Sequence, residues 1–207
     1  RLAGWRVKEL SVGSQGGLLA AQRSECDLAG IHLFDPHSGE YNRPFLDDRV
    51  ELLAGYRRQQ CLVYRPDDVR FRGRTVAEAL RAALADPECV LVNRNPGSGT
   101  RLLLDRWIAE IRATHVELPQ RPPGYGVQVK THQAVAAAIQ QGRADWGLAI
   151  DLVARRYGLE CLPLQAEQYD FVIPHSRRAR PAVQAFVELM AAPSTRAHLR
   201  ELGFALD

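Results

Sequence analysis

The sequence predicts an α/β protein with mainly parallel sheets, and three observations lead to that class. Apolar runs typical of strands alternate with segments whose apolar residues recur at helical spacing. Hydrophobic residues make up 46% and charged residues 25% of the 207 residues, which is the composition of a globular chain. The alternation continues along the sequence without a solenoid repeat or a low-complexity segment. Chains with this order of elements fold with helices packed on a sheet.

The first half of the chain is predicted from strand patterns, glycine-rich turns and one helix-start motif. Thr75-Val76-Ala77-Glu78 has the form of a capping box, in which Thr75 caps the helix and Glu78 reaches back to it. Prolines and glycines mark the longest loop. The predicted elements are a strand over 6–12, a turn at Gly13–Gly17, a helix over 17–24, a strand over 27–31, a loop over 35–44, strand signals over 50–64 and a helix from 75 to 85.

The second half contains the clearest helix of the sequence. It follows Gly97-Ser98-Gly99-Thr100, because Leu104, Trp107, Ile108 and Ile111 fall on one face at i, i+3, i+4 and i+7. The other predicted elements are a strand over 89–92, a loop over 119–126, a helix over 132–141, strands over 146–150 and 169–173, and two helices over 181–203 separated at Pro193.

One helix–strand pattern occurs twice. Residues 16–31 run as a helix into a strand that begins at Asp27, and residues 133–150 run as a helix into a strand that begins at Asp145. A junction of this kind is common in α/β proteins. Two copies in one chain favour two similar lobes, each built around the same helix–strand unit.

Charge and cysteine usage narrow the classes of function. The net charge of +3 is too small to indicate nucleic-acid binding without a local basic stripe. No apolar run reaches the roughly 18 residues that a membrane span needs, so no membrane partner is expected. The four cysteines are widely spaced, without a C-x-x-C pair, and are expected to be free thiols, which favours a cytoplasmic location.

The strongest candidate for a binding site is Asn93–Arg101, which lies between a predicted strand and a predicted helix. The first N–H groups of a helix have no partner within it and carry the positive end of its dipole. Ser98 and Thr100 add hydroxyl donors, while Arg94 and Arg101 add positive charge. A tetrahedral oxyanion or a carboxylate requires these groups, although a plain helix cap uses the same residue types.

Two further helix starts offer similar groups. Gly13–Gly17 combines backbone amides with the side chains of Ser14 and Gln15, and Thr131-His132 opens the helix over 132–141. Each of these alone is more typical of a turn or a helix cap. Three such starts, spread over both halves of the chain, favour a shared anion site.

The sequence indicates no metal centre and no catalytic set. His32, Asp35 and His37 form a His-x-x-Asp-x-His pattern, but no further ligand is indicated and a polar loop accounts for these residues. No paired carboxylates and no Cys–His arrangement suit acid–base or nucleophilic chemistry. We therefore expect no catalytic residue, no metal and no cofactor, and a binding module rather than an enzyme.

Taken in order, these motifs resemble the type II periplasmic-binding-protein fold. They resemble most closely the cytoplasmic domain of this kind that is attached to molybdate-responsive regulators and molybdopterin-biosynthesis proteins. The resemblance covers nearly the whole chain, and its most specific parts are the serine–glycine–threonine loop and the Tyr-Asp-x-Val-Ile-Pro strand. The stretches that carry it are Gly13–Gly17, Asp27–Leu33 with Asp35, Asn93–Arg101, Thr131-His132, Gly142–Asp145 and Tyr169–Pro174.

The resemblance implies two α/β lobes that are joined by two crossing strands and close on a small anion, molybdate or tungstate. The implied lobes are 1–62 with 168–207, and 63–167, and the implied crossings are Cys61–Tyr64 and Tyr169–Ile173. The residues expected to bind the anion are Ser14, Gln15, His32, Asp35, Arg94, Ser98, Gly99, Thr100, Arg101, Thr131 and His132.

The resemblance also bears on what surrounds this chain. The family pattern begins with a strand, an anion-facing loop and a helix, whereas only Arg1 to Trp5 precede residues 6–12 here. One loop of the first lobe is therefore expected to be missing or replaced. A DNA-binding or enzyme domain on the N-terminal side is an expected partner, and a homodimer stays open.

Two other functions stay open at this point. The effector half of a LysR-type transcription regulator shares the fold and takes an organic acid. A transferase or isomerase that acts on an anionic substrate would use His132 or His32 as its base.

Overall fold

The computed structural model describes residues 4–206, and the chain divides into two compact units. Unit 1 comprises Arg1–Arg58 and Glu167–Asp207, and unit 2 comprises Gln59–Ala166. The chain passes from one unit to the other within two strands of 15 residues each, Val50–Tyr64 and Glu160–Pro174. The two stretches expected as crossings lie in these strands.

Strands and helices alternate, so the predicted α/β class is confirmed. The helices are α1 (Gly13–Gln22), α2 (Val76–Ala85), α3 (Gly99–Thr114), α4 (His132–Gln140), α5 (Asp151–Arg156), α6 (Pro181–Ala191) and α7 (Pro193–Glu201). The strands are β1 (Ala29–Ile31), β2 (Val50–Tyr64), β3 (Leu91–Arg94), β4 (Gln128–Val129), β5 (Trp146–Ile150) and β6 (Glu160–Pro174). Within residues 4–206, no helix combines the length and the apolar character that a bilayer crossing needs.

Unit 1 packs α1 against a sheet with the strand order β1-β6-β2. β1 pairs antiparallel with β6, with Ala29 opposite Val172. The contact between α1 and β1 is close, because a Cβ on Gly17 would lie 3.2 Å from the Cβ of Ala29. The buried core of this unit consists of Leu18, Ala21, Ile31, Leu33, Val50 and Val172.

Unit 2 carries strands in the order β2-β5-β3-β4. β3 pairs parallel with β4 and with β5, whereas β2 pairs antiparallel with β5. The expectation of mainly parallel sheets is therefore corrected to a mixed sheet. The reason is that β2 and β6, which carry the chain between the units, run against the strands beside them. The core around Trp146 and Phe71 is fully buried.

The N-terminal elements differ from the prediction in two ways. Residues 5–12 are exposed and form no strand, with Val7 75% and Leu10 68% exposed. An amphipathic strand requires an apolar surface against which its apolar side chains pack, and these residues have none. The predicted turn at Gly13–Gly17 is instead the first turn of α1, and Gly17 in it allows the helix to approach Ala29 closely.

Most other elements are confirmed by the structure. The capping box is present, since Thr75 N donates to Glu78 Oε2 at 2.9 Å and Glu78 N donates to Thr75 Oγ1 at 3.3 Å. The two C-terminal helices meet at Pro193, as predicted. β6 starts at Glu160, nine residues before the predicted 169, because its first part packs Leu162 and Leu164 on the core of unit 2.

Candidate functional site

Parallel pairing in unit 2 brings the carboxyl ends of three strands to one edge of its sheet. β3 places Arg94 opposite Val129 of β4 and Val92 opposite Gly147 of β5. Since α3 follows β3, α4 follows β4 and α5 follows β5, all three helices begin at this edge. Ligands of open α/β sheets bind outside the carboxyl ends of the strands. We call Ser98–Arg101 with Thr131-His132 the helix-start edge.

The first turn of α3 is held by its own cap and by β2. Ser98 Oγ accepts a hydrogen bond from Arg101 N at 3.2 Å, and Thr100 Oγ1 accepts one from Gln60 Nε2 at 3.0 Å. Ser98 and Gln60 are 0% exposed and Thr100 is 1% exposed, whereas Gly99 is partly exposed. Within this turn, solvent therefore reaches Gly99, while the two hydroxyl side chains are covered.

Both arginines of the loop hold backbone in place. Arg94 donates from its NH2 group to Lys130 O at 2.9 Å, just before the cap of α4. Arg101 donates from Nε to Asp105 Oδ2 at 3.0 Å and from NH1 to Arg94 O at 3.3 Å, and its guanidinium lies 4.0 Å from the centre of the Tyr125 ring. These contacts brace the helix-start edge. Direct contact of either charge with a ligand stays a prediction.

The loop before α4 is bonded to the loop before α3. Thr131 Oγ1 accepts a hydrogen bond from Ala134 N at 3.1 Å, which makes Thr131 the predicted N-cap. Asn95 N donates to Val129 O at 3.2 Å and so joins the two loops directly. His132 is the first residue of α4 and is partly exposed.

One carboxylate begins α5 at the same edge of the sheet. Asp151 Oδ1 accepts from Leu152 N at 2.7 Å, and its Oδ2 lies 2.8 Å from Arg155 NH1. Its charge is therefore compensated within α5, which reduces its repulsion of an anion.

Ser14 and His32 meet in unit 1. The hydroxyl of Ser14, in the first turn of α1, accepts a hydrogen bond from His32 N at 3.2 Å, and Ser14 is 2% exposed. Gln15 is exposed on the same helix, and no side chain caps α1. The predicted glycine-rich start of unit 1 is thus a helix start tied to the end of β1.

Three residues that the sequence analysis did not propose as ligand-binding surround His32. Its Nδ1 lies 2.9 Å from Glu167 Oε2, and Arg58 Nε donates to the other oxygen of Glu167. The side chains of Arg58 and Glu167 are 8% and 5% exposed. The ring of Tyr169 stacks on His32 at 5.7 Å and lies under the Arg58 guanidinium at 4.4 Å. We call Arg58, Glu167, His32 and Tyr169 the buried ion cluster.

Asp35 holds a turn. It accepts from Ser38 Oγ at 2.7 Å and from His37 N at 3.1 Å, and these two hydrogen bonds lower the pKa of Asp35. In residues 4–206, no group of three or more His, Cys, Asp or Glu side chains is arranged to hold a metal ion.

The predicted residues therefore fall into two sets. Arg94, Ser98–Arg101 and Thr131-His132 lie together at the helix-start edge of unit 2, while Ser14, Gln15 and His32 lie together in unit 1. Asp35 is bonded within its own turn. The signal for the buried ion cluster was weak, because Arg58 stands in an arginine pair of the kind that usually lies on a solvated face.

A family model described as a PBP superfamily domain matches residues 1–191 of this α/β fold. The chain belongs to this family. The match covers most of the chain, including the helix-start edge and the buried ion cluster.

This PBP superfamily domain is 27% identical over 199 residues to the uncharacterized protein YvgK of Bacillus subtilis strain 168. The alignment covers 92% of the chain and 59% of YvgK. The chain thus spans less than two thirds of the length of this curated relative.

Three solved structures resemble the domain at low sequence identity. A putative phosphate ABC transporter substrate-binding protein from Clostridium perfringens, with bound phosphate, has a TM-score of 0.66 and a sequence identity of 10%, and the match covers 95% of this chain and 85% of that protein. The tungstate binding protein TupA of Desulfovibrio alaskensis G20 has a TM-score of 0.55 and an identity of 19%, and the match covers 95% of this chain and 82% of TupA. The effector binding domain of QuiR, in complex with shikimate, has a TM-score of 0.59 and an identity of 14%, and the match covers 90% of this chain and 79% of the QuiR domain. These likenesses confirm the predicted type II periplasmic-binding-protein-like fold.

Proposed function

We propose that this PBP superfamily domain binds a small oxyanion at the helix-start edge, as a ligand-binding module rather than as an enzyme. The observation that carries the proposal is that α3 and α4 begin at the same edge of the sheet, after the paired parallel strands β3 and β4, and that each has a hydroxyl cap, Ser98 and Thr131. Each cap oxygen accepts from an amide of its own helix, so its proton is left to donate to a ligand. The first N–H groups of both helices and their dipoles add to the attraction for negative charge.

Molybdate or tungstate is the oxyanion that we propose. The resemblance of the motifs to molybdate-responsive domains supports this choice, as does the likeness to a protein described as tungstate-binding. Phosphate is the ligand held by another structure with this fold. All of these ions share a tetrahedral set of oxygen acceptors.

The expected affinity follows from the number of donors. A hydrogen bond to a charged group contributes about 1.5–3 kcal/mol. Three or four such bonds, less the cost of association, give binding in the micromolar range or tighter. The loss of one hydroxyl donor should therefore weaken binding by about tenfold or more.

Thermal unfolding in the presence of molybdate, tungstate, sulfate and phosphate tests the proposal. A bound anion stabilises the folded state by mass action, so the midpoint of unfolding should rise with at least one of them. Thr100→Val removes one buried hydroxyl donor and should weaken that rise. Thr114→Val makes the same change at the opposite end of α3 and should leave it intact. The absence of any shift with all four anions would overturn the proposal.

An organic acid is the second candidate ligand, because the QuiR effector domain with this fold binds shikimate. The same experiment with shikimate and small dicarboxylates separates the two. A rise in the unfolding midpoint with an organic acid alone would favour an effector domain of the LysR type.

We propose further that the domain is the ligand-responsive part of a cytoplasmic transcription regulator or molybdenum-cofactor protein. Free thiols at Cys26, Cys61, Cys89 and Cys161 support a reducing location, and the longer relative supports an attached region. Gel filtration of the full-length protein with and without molybdate would test for a ligand-dependent homodimer. A DNA-binding assay under the same two conditions would test the role in regulation.

A further inference from the structure

We infer that Gln60 is a positioning residue, which fixes the hydroxyl of Thr100 as a hydrogen-bond donor toward the anion. The inference rests on the proposed function, because it concerns the same helix-start edge. Gln60 lies on β2 opposite Ile150, the last residue of β5, and therefore at the edge where α3 begins.

The contact between the two side chains is buried and direct. Gln60 is 0% exposed, and its Nε2 donates to Thr100 Oγ1 at 3.0 Å. Burial of a primary amide among apolar strands carries a cost in free energy unless the amide makes hydrogen bonds. The side chain of Gln60 therefore has a defined orientation, and it determines the surroundings of one hydroxyl of the site.

This hydrogen bond determines the direction in which the Thr100 hydroxyl can donate its proton. A hydroxyl has one proton to donate, and an amide N–H that points at its oxygen directs that proton away from the amide. Thr100 is not the cap of α3, so no helix amide performs this task for it. The Gln60 amide thus donates to the Thr100 hydroxyl, as the backbone amides of Arg101 and Ala134 donate to the hydroxyls of Ser98 and Thr131.

All three hydroxyls then face the ligand as donors. An ion such as molybdate or sulfate, whose oxygens only accept hydrogen bonds, satisfies three aligned donors. A ligand that presents an O–H at this position leaves one donor unmatched, and unmatched polar groups strongly disfavour binding. Gln60 thus acts on the choice of ligand although it does not touch the ligand.

A double-mutant cycle on Gln60 and Thr100, with molybdate affinity measured by calorimetry, tests the inference. Gln60→Met keeps the length of the side chain but removes the donor, and should weaken binding by about fivefold in the wild-type background. In the Thr100→Val background the same change should have an effect below about twofold, because the hydroxyl that it orients is absent. Gln141→Met, the same change at the opposite end of α4, is the matched control and should leave affinity unchanged.

Gln60→Glu provides a second, nearly isosteric variant. Its carboxylate would accept the proton of Thr100 and would also repel the anion, so the affinity for molybdate should fall by more than the effect of Gln60→Met. Thr100→Ser, which keeps the hydroxyl, should retain the response to Gln60→Met. Thermal unfolding of each variant without ligand confirms that the fold is intact.

The outcomes separate this inference from the proposed function. Equal losses from Gln60→Met in both backgrounds would show a role unrelated to Thr100 and would overturn the inference while leaving the proposed function standing. No binding of molybdate, tungstate, sulfate or phosphate by the wild-type protein would overturn both.

Discussion

At the residue scale, several polar side chains that are expected to meet a ligand are already bonded to this chain. Arg94 and Arg101 donate to backbone carbonyls and to Asp105, and Asp35 accepts from its own turn. A buried guanidinium has five N–H donors, and leaving them unpaired is costly. For this reason the proposed function assigns the anion to hydroxyls and backbone amides, which need fewer partners.

The reactivity of the cysteines should differ sharply between positions. A hydrogen bond from the Cys61 thiol lowers the pKa of Cys161, while burial raises the pKa of Cys89 to about 12. Because the thiolate is the reactive form, iodoacetamide at pH 8 should alkylate Cys161 before Cys61 and Cys89. Peptide mass spectrometry of the folded protein measures this order. Modification of Cys89 ahead of Cys161 would contradict it, and Cys161→Ser should remove the fast phase.

The buried ion cluster should stabilise unit 1 through its charge balance. Glu167→Gln leaves the buried Arg58 without its carboxylate, so the free energy of unfolding should fall by about 3–5 kcal/mol. Urea denaturation measures this loss. Glu201→Gln changes a carboxylate whose side chain is 76% exposed and should alter stability by less than about 0.5 kcal/mol. Equal effects of the two substitutions would show that the cluster does not stabilise the fold.

At the scale of elements, close backbone approach explains where glycine is required. A Cβ on Gly55 of β2 would lie 2.0 Å from the carbonyl oxygen of Tyr169 on β6. In the same region, the Asp170 carboxylate accepts from Gly55 N at 3.0 Å and from Asn42 Nδ2 at 2.8 Å. The neighbouring strands β2 and β6 are thus held together by contacts that a larger residue at position 55 would disrupt.

Gly55→Ala should therefore destabilise the protein strongly. Its methyl group meets backbone rather than a mobile side chain, so the strands must separate, and a loss of about 2–4 kcal/mol is expected in urea denaturation. Gly126→Ala is the matched control, because nothing lies within 4 Å of its added Cβ and its φ is not in the left-handed region. A neutral Gly55→Ala would mean that β2 and β6 are not packed this closely.

At the scale of the whole molecule, the repeated helix–strand pattern is divided between the units. Residues 16–31 lie in unit 1 and residues 133–150 lie in unit 2, and in each unit the helix packs on the strand that follows it. The two aspartates of the pattern differ in role. Asp27 pairs with Arg180 at the surface, whereas Asp145 accepts from Val90 N at 2.8 Å and contacts Arg65 and Arg70.

The stability of the protein should fall in acid because of carboxylates such as these. Burial raises the pKa of Asp145, but hydrogen bonds from Val90 N, Arg65 and Arg70 outweigh this effect and lower the pKa overall from its ordinary value of 3.8. Hydrogen bonds from Thr75 lower the pKa of Glu78 from its ordinary value of 4.5. A folded-state pKa below the unfolded value contributes stability above the unfolded pKa, which is lost as the pH falls through the folded pKa. The free energy of unfolding should therefore decline below about pH 4.5.

Urea denaturation between pH 6 and pH 3 measures this decline. Asp145→Asn should lower stability at pH 6 and make its decline in acid shallower, since the substituted amide does not titrate. An equally steep acid limb in the variant would show that Asp145 is not a source of the pH dependence.

Local signals in the sequence explain which parts of the site and the fold were predicted. Thr75, Ser98 and Thr131 were predicted as helix starts because a cap depends on residues three positions apart in the chain. The prediction of a strand over 6–12 was wrong, because a strand requires a neighbouring strand to pair with, and a local sequence pattern does not supply one. Gln60, Arg58 and Glu167 were missed, because their partners lie far away in sequence.

The sequence by itself determined the α/β class, the order of most elements and the donor-rich start of α3. These features follow from periodicity and from contacts between residues that are close along the chain. Tertiary structure alone decided the mixed pairing of the sheet, the engagement of the arginines with backbone and the hydrogen bond from Gln60 to Thr100. Those outcomes depend on which strands become neighbours, and neighbouring strands bring together side chains that the sequence keeps apart.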